Sequence, residues 1–370
     1  MLNKVNYMKK ITVSLPARPK RDYIIHVSSN AIEEIGSMYD FAAYSKVFIV
    51  TDSVVGPLLL DKLVAALPVA ADSVVLEVGD GQKSIKSIET IWTAMHAAGC
   101  DRKSLVINLG GGVIGDLGGF AAATYMRGVD FLNVPTTLLA QVDSSVGGKT
   151  GFNFDGIKNL IGTFDQPIGV VIDTSALTTL PEREFLSGFA EIIKHGLVCD
   201  KAYFEQVTAK LPLEFSQDEL AEIISRSCQI KVEVVEHDET ETGARKLMNF
   251  GHTVGHAVEA LSLGTGQPLL HGEAVSIGMV AEAVISQRLG MLSETELREI
   301  EQALGNAGLP TRMNDLPLDE LLEKMRSDKK NDNGNINFTL LKGIGSAAYD
   351  QRVEQPAIIE ALQVVMGQNP

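Results

Sequence analysis

The amino-acid sequence predicts an α/β fold, with a mostly parallel sheet and flanking helices in the first half and a mainly α-helical second half. Three observations carry this expectation. Short apolar, often β-branched runs of strand length alternate with segments of helical spacing as far as residue 172. A glycine turn stands directly between one such run and a small-residue helix. Beyond about Ser175 the pattern becomes Glu- and Leu-rich at helical spacing.

Taken in order, residues 11–15 and 23–27 read as two short strands joined by a Pro-containing turn. Residues 47–51, 73–78, 105–109 and 129–134 supply the next strands, and 170–172 the last of that layer. Between them Ile85, Ile88, Trp92 and Met95 recur every three or four residues, one face of a helix. Residues 220–235, 252–261 and 294–304 then read as helices. A late strand at 336–341 follows the turn signal Asn331-Asp332-Asn333-Gly334. A chain of 370 residues is long for one core. Two domains are expected, 1–175 and 176–370.

Composition narrows the function. No apolar run approaches the roughly 18 residues that span a bilayer, so no membrane partner is expected. The N-terminal lysines and arginines precede no apolar stretch, which argues against a secretory signal. Cys100, Cys199 and Cys228 are odd in number and lack CxxC spacing; they read as reduced thiols of a cytoplasmic protein. A net charge of −15 without a long basic run disfavours a nucleic-acid partner. It leaves an anionic small substrate open, because local charges govern that affinity.

Gly110, Gly112 and Gly115 satisfy G-x-G-x-x-G between the strand at 105–109 and a helix at 118–124. Glycines let the backbone approach a pyrophosphate, and free N–H groups at the helix start attract its charge. Close helix–strand packing would use the same glycines. Asp52, ending the strand at 47–51, is placed to accept from ribose hydroxyls or to cap a helix. Gly147-Gly148-Lys149-Thr150 ends like a phosphate-binding P-loop, but Asp143 occupies the place of its first glycine, so an ATPase is rejected.

His252 and His256 lie at i and i+4, one helical face, where two imidazoles can converge on one ion. His271 begins a further apolar segment, and Glu191 lies one turn from Lys194 and His195. Three mixed N and O ligands with a position left open describe catalytic zinc. Spacing alone would take His252 and His256 together as ligands. Each His taken singly also reads as a helix-surface or capped residue.

Gly110–Asp116, Tyr125–Gly128, Val134–Asp143, Gly147–Thr150, Gly156–Asn159, Glu191–Gly196, Arg245, Asn249–Glu259 and His271–Met279 together resemble, in order over nearly the whole chain, the 3-dehydroquinate synthase family of sugar-phosphate cyclases. The resemblance implies a Rossmann-like N-terminal domain, a helical C-terminal domain and an active site in the cleft. It also implies bound NAD, zinc (replaceable by cobalt), a homodimer, and a small sugar-phosphate substrate. On the family's pattern Glu191, His252 and His271 are the metal ligands, and His256 serves the substrate. Asp52, Asp80, Lys83, Gly111, Gly112, Val113, Asp116, Thr136, Thr137, Lys149, Lys158, Thr178 and Leu180 would lie near the nucleotide. Arg127, Asp143, Lys149, Lys194, Lys231, Arg245, Asn249 and His256 would hold substrate, with Lys329 or Lys330 adding a cation. Asp80 departs from the family's usual Glu, and the stretch between His256 and His271 is longer than in some relatives and reads as a loop.

The implied reaction converts 3-deoxy-D-arabino-heptulosonate 7-phosphate to 3-dehydroquinate and phosphate in the shikimate pathway of aromatic amino acid biosynthesis. It runs by transient oxidation by NAD, phosphate elimination, re-reduction, ring opening and intramolecular aldol closure, a phosphorus–oxygen lyase that forms a carbocycle. Arg127, Lys149, Lys194 and Arg245 would meet the carboxylate and phosphate. Asp143, Asn249 and His256 would orient hydroxyls and move protons. The rival readings are another sugar-phosphate cyclase, a metal-dependent polyol dehydrogenase, and an inactive nucleotide-binding regulator.

Overall fold

The structure is a computed structural model describing residues 22–77, 80–313, 316–326 and 336–368. The strand expected at 11–15, the turn at 331–334, Lys329 and Lys330 lie outside these residues, as does the side chain of Asp80. The strands are β1 (Ile24–Ser28), β2 (Lys46–Asp52), β3 (Ala71–Leu76), β4 (Ser104–Gly110), β5 (Asp130–Pro135), β6 (Lys149–Phe154), β7 (Ile157–Phe164), β8 (Gly169–Asp173), β9 (Asn337–Gly343) and β10 (Ser346–Arg352). The helices are α1 (Ala31–Met38), α2 (Asp61–Ala66), α3 (Ile85–Ala97), α4 (Gly112–Thr124), α5 (Glu182–Cys199) and α6 (Lys201–Thr208). They continue with α7 (Gln217–His237), α8 (His252–Ser262), α9 (His271–Arg288), α10 (Glu294–Asn306), α11 (Leu318–Arg326) and α12 (Gln355–Val365).

Six strands form a parallel sheet in the order β1-β8-β5-β4-β2-β3. Helices cover both faces, which is why β4 is buried along its whole length and reads as one apolar run. Along β2, Phe48 and Val50 join the core beneath α3 and α4, while Val47 and Ile49 join the core beneath α1 and α2. That alternation is the two-residue period of a strand. The edge strand β3 begins two residues before its expected start, because pairing with β2 runs from Val47 opposite Ala71 to Asp52 opposite Leu76.

Two antiparallel pairs stand outside the main sheet, β6 with β7 and β9 with β10. Neither β6, β7 nor β10 is anticipated by the sequence reading. β6 and β7 meet at Asp155 (φ 51°) and Gly156 (φ 74°), the two positive-φ residues of a tight hairpin turn.

Helices α5, α8, α10 and α12 and strand β9 pack around α9, which is buried continuously from Ala274 to Ser286. A helix apolar on all sides belongs at a centre. Contact between α8 and α9 depends on missing side chains: a Cβ on Gly278 would lie 1.9 Å from the Gly251 carbonyl oxygen, and one on Gly255 would lie 3.0 Å from Val275 Cα. The stretch between His256 and His271 ends in a loop, residues 263–270, that follows α8. Among the described residues no helix is long and apolar enough to cross a membrane.

Candidate active site

The glycine turn joins β4 to α4. Gly111 precedes the helix, and no side chain caps its first turn. Close packing accounts for part of the glycine content: a Cβ on Gly118 would sit 1.9 Å from Asn108 Oδ1, and one on Gly119 would sit 2.5 Å from Thr150 Cγ2. Gly115 is different, since a Cβ there would meet nothing within 4 Å. The first turn of α4 therefore offers uncapped N–H groups beside open space, a fit for the phosphates of a dinucleotide.

The side chains expected around this turn divide. Lys83 and Asp116 form an ion pair; burial pushes the Asp116 carboxyl up while Lys83 opposes it. Asp52 Oδ1 accepts from the Val54 and Val55 amides at 2.9 and 2.8 Å, the capping arrangement. Thr137 Oγ1 accepts from the Ala140 amide at 3.2 Å, and the buried Thr136 hydroxyl has no partner among the described residues. The exposed Thr178 donates to the Ser175 carbonyl at 2.7 Å, and Leu180 packs against the helical core. Lys158, on β7, reaches Glu259 Oε1 at 2.8 Å.

The second cluster collects side chains from α5, α8 and α9. Glu191 is fully buried, and neither carboxylate oxygen accepts a hydrogen bond among the described residues. Oε2 makes an ion pair with Lys194 one turn away. Oε1 faces His252 Nε2 at 3.7 Å and His271 Nε2 at 3.6 Å. Ligands at about 2.1 Å from a tetrahedral zinc lie about 3.4 Å apart. Three donors at such spacing, around a buried carboxylate whose Oε1 accepts no hydrogen bond among the described residues, suit a divalent metal ion. His256 completes a cluster of imidazoles, its ring centroid 5.1 Å from that of His252 and 6.0 Å from that of His271.

A second set of donors, Asp143, Glu191 and His195, shares Glu191. Here cations already supply the countercharge. Lys231 Nζ donates to Asp143 Oδ1 at 2.5 Å, and His195 Nδ1 meets Ser227 Oγ at 2.7 Å. Burial pushes Asp143 up, but Lys231, His195 and Lys194 outweigh it and hold the carboxyl well below the usual range. Burial also pulls His195 down. For His271 burial acts downward, while Glu191 and Glu259 prevail and hold the imidazole up at about 9.

The remaining cations line the approach. The buried Arg245 donates to the Gly147 carbonyl at 3.0 Å, and Asn249 donates to Glu241 Oε1 at 2.6 Å. Lys149 pairs with Glu241 Oε2. Arg127 is exposed and left-handed (φ 73°), and it has no ion pair or hydrogen bond to the other site residues among those described.

Comparison with known proteins bears on the same residues. Residues 73–187 match the 3-dehydroquinate synthase N-terminal family, and residues 188–331 the 3-dehydroquinate synthase C-terminal family. The 3-dehydroquinate synthase of Nitrosospira multiformis is 44% identical over 361 residues, covering 96% of this chain and 98% of the relative.

The chain belongs to the 3-dehydroquinate synthase family.

Its fold is also that of related cyclases. The 2-epi-5-epi-valiolone synthase of Streptomyces hygroscopicus, solved with NAD+ and Zn2+ bound, superposes with a TM-score of 0.86 at 28% identity, covering 96% of this chain and 99% of that one. A 2-deoxy-scyllo-inosose synthase, solved with carbaglucose-6-phosphate, NAD+ and Co2+, gives a TM-score of 0.83 at 25% identity, covering 92% and 96%.

Within this family member, three carboxylates escaped the sequence reading. Glu259 lies 3.5 Å from His271 Nδ1, and Glu241 joins Lys149 to Asn249. Glu282, buried on α9, accepts from the Gly251 amide at 2.7 Å, Thr253 at 3.0 Å and Val254 at 3.2 Å. It caps the helix that carries His252 and His256. The seven-residue interval from His252 to Glu259, two helical turns, was the one available signal.

Proposed function

We propose that this chain converts 3-deoxy-D-arabino-heptulosonate 7-phosphate to 3-dehydroquinate and phosphate, with NAD held at the glycine turn and zinc at Glu191, His252 and His271. In a chain of this family, the observation that carries the reading is the buried, hydrogen-bond-free Glu191 carboxylate facing two imidazoles, with Lys194 beside it. When bound, NAD supplies a hydride acceptor whose hydride is returned within the turnover, and zinc supplies a Lewis acid for the substrate's hydroxyls.

The chain's own residues position and neutralise. Lys194, Lys231 and Arg245 are largely buried cations, so their charge is little screened and is directed at an anionic substrate. Lys149, Asn249 and Glu241 form one hydrogen-bonded and ion-paired group that orients hydroxyls. Asp143 stays ionised beside Lys231 and accepts from a substrate hydroxyl. His256, close to both metal-facing imidazoles, moves a proton at the substrate. The substrate's phosphate takes the proton of the acidified C–H as it leaves, so the protein needs no strong base at that carbon. Lys329 or Lys330 adds a cation, and Arg127 serves the phosphate from an exposed turn.

The chain works as a cytoplasmic homodimer of two domains dividing near residue 175. Another sugar-phosphate cyclase is disfavoured by Gly148-Lys149-Thr150-Gly151 and by Asn249, which such relatives tend to lack. A polyol dehydrogenase would release NADH and has no use for this many phosphate-binding cations. Phosphate release from the heptulosonate phosphate, with NADH absorbance followed before and after chelation, tests the reading. Chelator-sensitive release without accumulating NADH is expected; no release from folded, zinc- and NAD-loaded protein would overturn it.

A further inference from the structure

The two imidazoles that face Glu191 both do so through Nε2, and they turn Nδ1 to different partners. His252 Nδ1 lies 3.2 Å from the Phe250 carbonyl, a neutral acceptor. His271 Nδ1 lies 3.5 Å from Glu259 Oε2, an anion. A carboxylate on the far nitrogen fixes the tautomer that leaves the Nε2 lone pair toward a metal, and it makes that lone pair more basic. Glu259 is itself nearly buried, so its charge requires a partner. That partner is Lys158, whose Nζ donates to Glu259 Oε1 at 2.8 Å.

Lys158 does not belong to the helices that hold the donors. It lies on β7, 101 residues before Glu259, in the hairpin with β6. Thr150 of β6 in turn packs so closely on α4 that a Cβ on Gly119 would reach 2.5 Å from its methyl carbon. A continuous line of contacts therefore runs from the helix of the glycine turn, through the hairpin, Lys158 and Glu259, to His271 and Glu191.

We propose that Glu259 is the positioning residue of the metal ligand His271, and that Lys158 sets metal affinity through Glu259. The inference rests on the zinc centre proposed above. Lys158 has no direct part in holding the ion: it orients and neutralises Glu259, and Glu259 orients the imidazole. The hairpin and the metal centre are thereby energetically linked, and such linkage is reciprocal.

The test is zinc affinity, measured by competition with a chromophoric chelator on NAD-free protein, for the wild type, Glu259→Gln, Lys158→Met and the double variant. Glu259→Gln is expected to weaken zinc about 10- to 100-fold, the usual effect of losing such an outer partner. It should also shift the visible spectrum of the cobalt-substituted protein, which a change in global stability alone does not do. Lys158→Met is expected to weaken zinc by about threefold to tenfold in the wild type and to have no effect in the Glu259→Gln background. If Glu259→Gln does not fold, Glu259→Asp, which keeps the charge but withdraws it by one methylene, should show the same loss. Zinc affinity within twofold of wild type in the Glu259 variant would overturn the proposal. So would an equal Lys158→Met effect in both backgrounds, because Lys158 would then act independently. A wild-type chain that binds no zinc would sink the zinc centre itself, and this inference with it.

Discussion

In the proposed function the glycine turn and the three-helix cluster each hold a charged group, and they do so by opposite means. The turn uses backbone: one continuous stretch, Gly110 to Asp116, frees helix N–H groups beside open space and needs no charged side chain of its own. The cluster uses side chains from α5, α8 and α9, at residues 191, 252 and 271, and it concentrates charge around a fully buried carboxylate. A site made of backbone is complete once its local segment folds. A site made of distant side chains is complete only when the packing around α9 is complete, and its buried carboxylate is satisfied only by a cation.

That contrast can be broken at either end. The largest effect is expected from Glu191→Gln, which removes the anionic donor. A metal acting as Lewis acid contributes several kcal/mol to the transition state, so turnover should fall by about 10³-fold or more. NAD affinity, read by fluorescence titration, should stay within about twofold of wild type, since the turn does not share these side chains. A variant that keeps its turnover would remove the metal from the account.

Glu282→Ala should come next, because it strips the cap from the N-terminus of α8. Three buried amides lose their acceptor. The expected loss is about 3 kcal/mol in urea unfolding. An unchanged denaturation midpoint would show that α8 needs no help from α9.

At the other end, Gly112→Ala places a methyl 2.9 Å from Ser144 Oγ, at the mouth of the turn. NAD affinity should fall about tenfold, equivalent to 1.4 kcal/mol. Zinc affinity should not move, and an equal loss at both sites would mean that the two regions are not separable. The smallest effect is expected from Asp52→Asn. Its Oδ1 can still accept from Val54 and Val55, so stability should change by less than about 1 kcal/mol. NAD affinity should weaken only severalfold if the side chain also serves the ribose, and unchanged NAD affinity in the folded variant would show that Asp52 is a cap and nothing more.

The same contrast explains what could be read from the chain before its structure. The β2, β4, β5 and β8 runs were legible because parallel strands buried on both faces leave uninterrupted apolar residues. The hairpin β6–β7 was not, since β7 is mostly exposed and carries no alternating pattern. Its Asp155-Gly156 turn was nevertheless a usable signal. In the cluster, helical spacing alone would have joined His252 to His256. The pairing of His252 with His271 is a product of how α8 lies on α9 through Gly251, Gly255 and Gly278, and only the family resemblance anticipated it. Glu241, Glu259 and Glu282 stayed hidden for the same reason. An acidic residue on a helix or loop looks solvated until its partner is brought to it from elsewhere in the chain.

The most direct test of the central claim is to locate the metal by anomalous scattering at the zinc edge, in crystals of the protein loaded with zinc. One peak is expected, bonded to Glu191, His252 Nε2 and His271 Nε2 at about 2.0–2.2 Å. A peak among Asp143, Glu191 and His195 instead, or none at full zinc loading, would contradict the account.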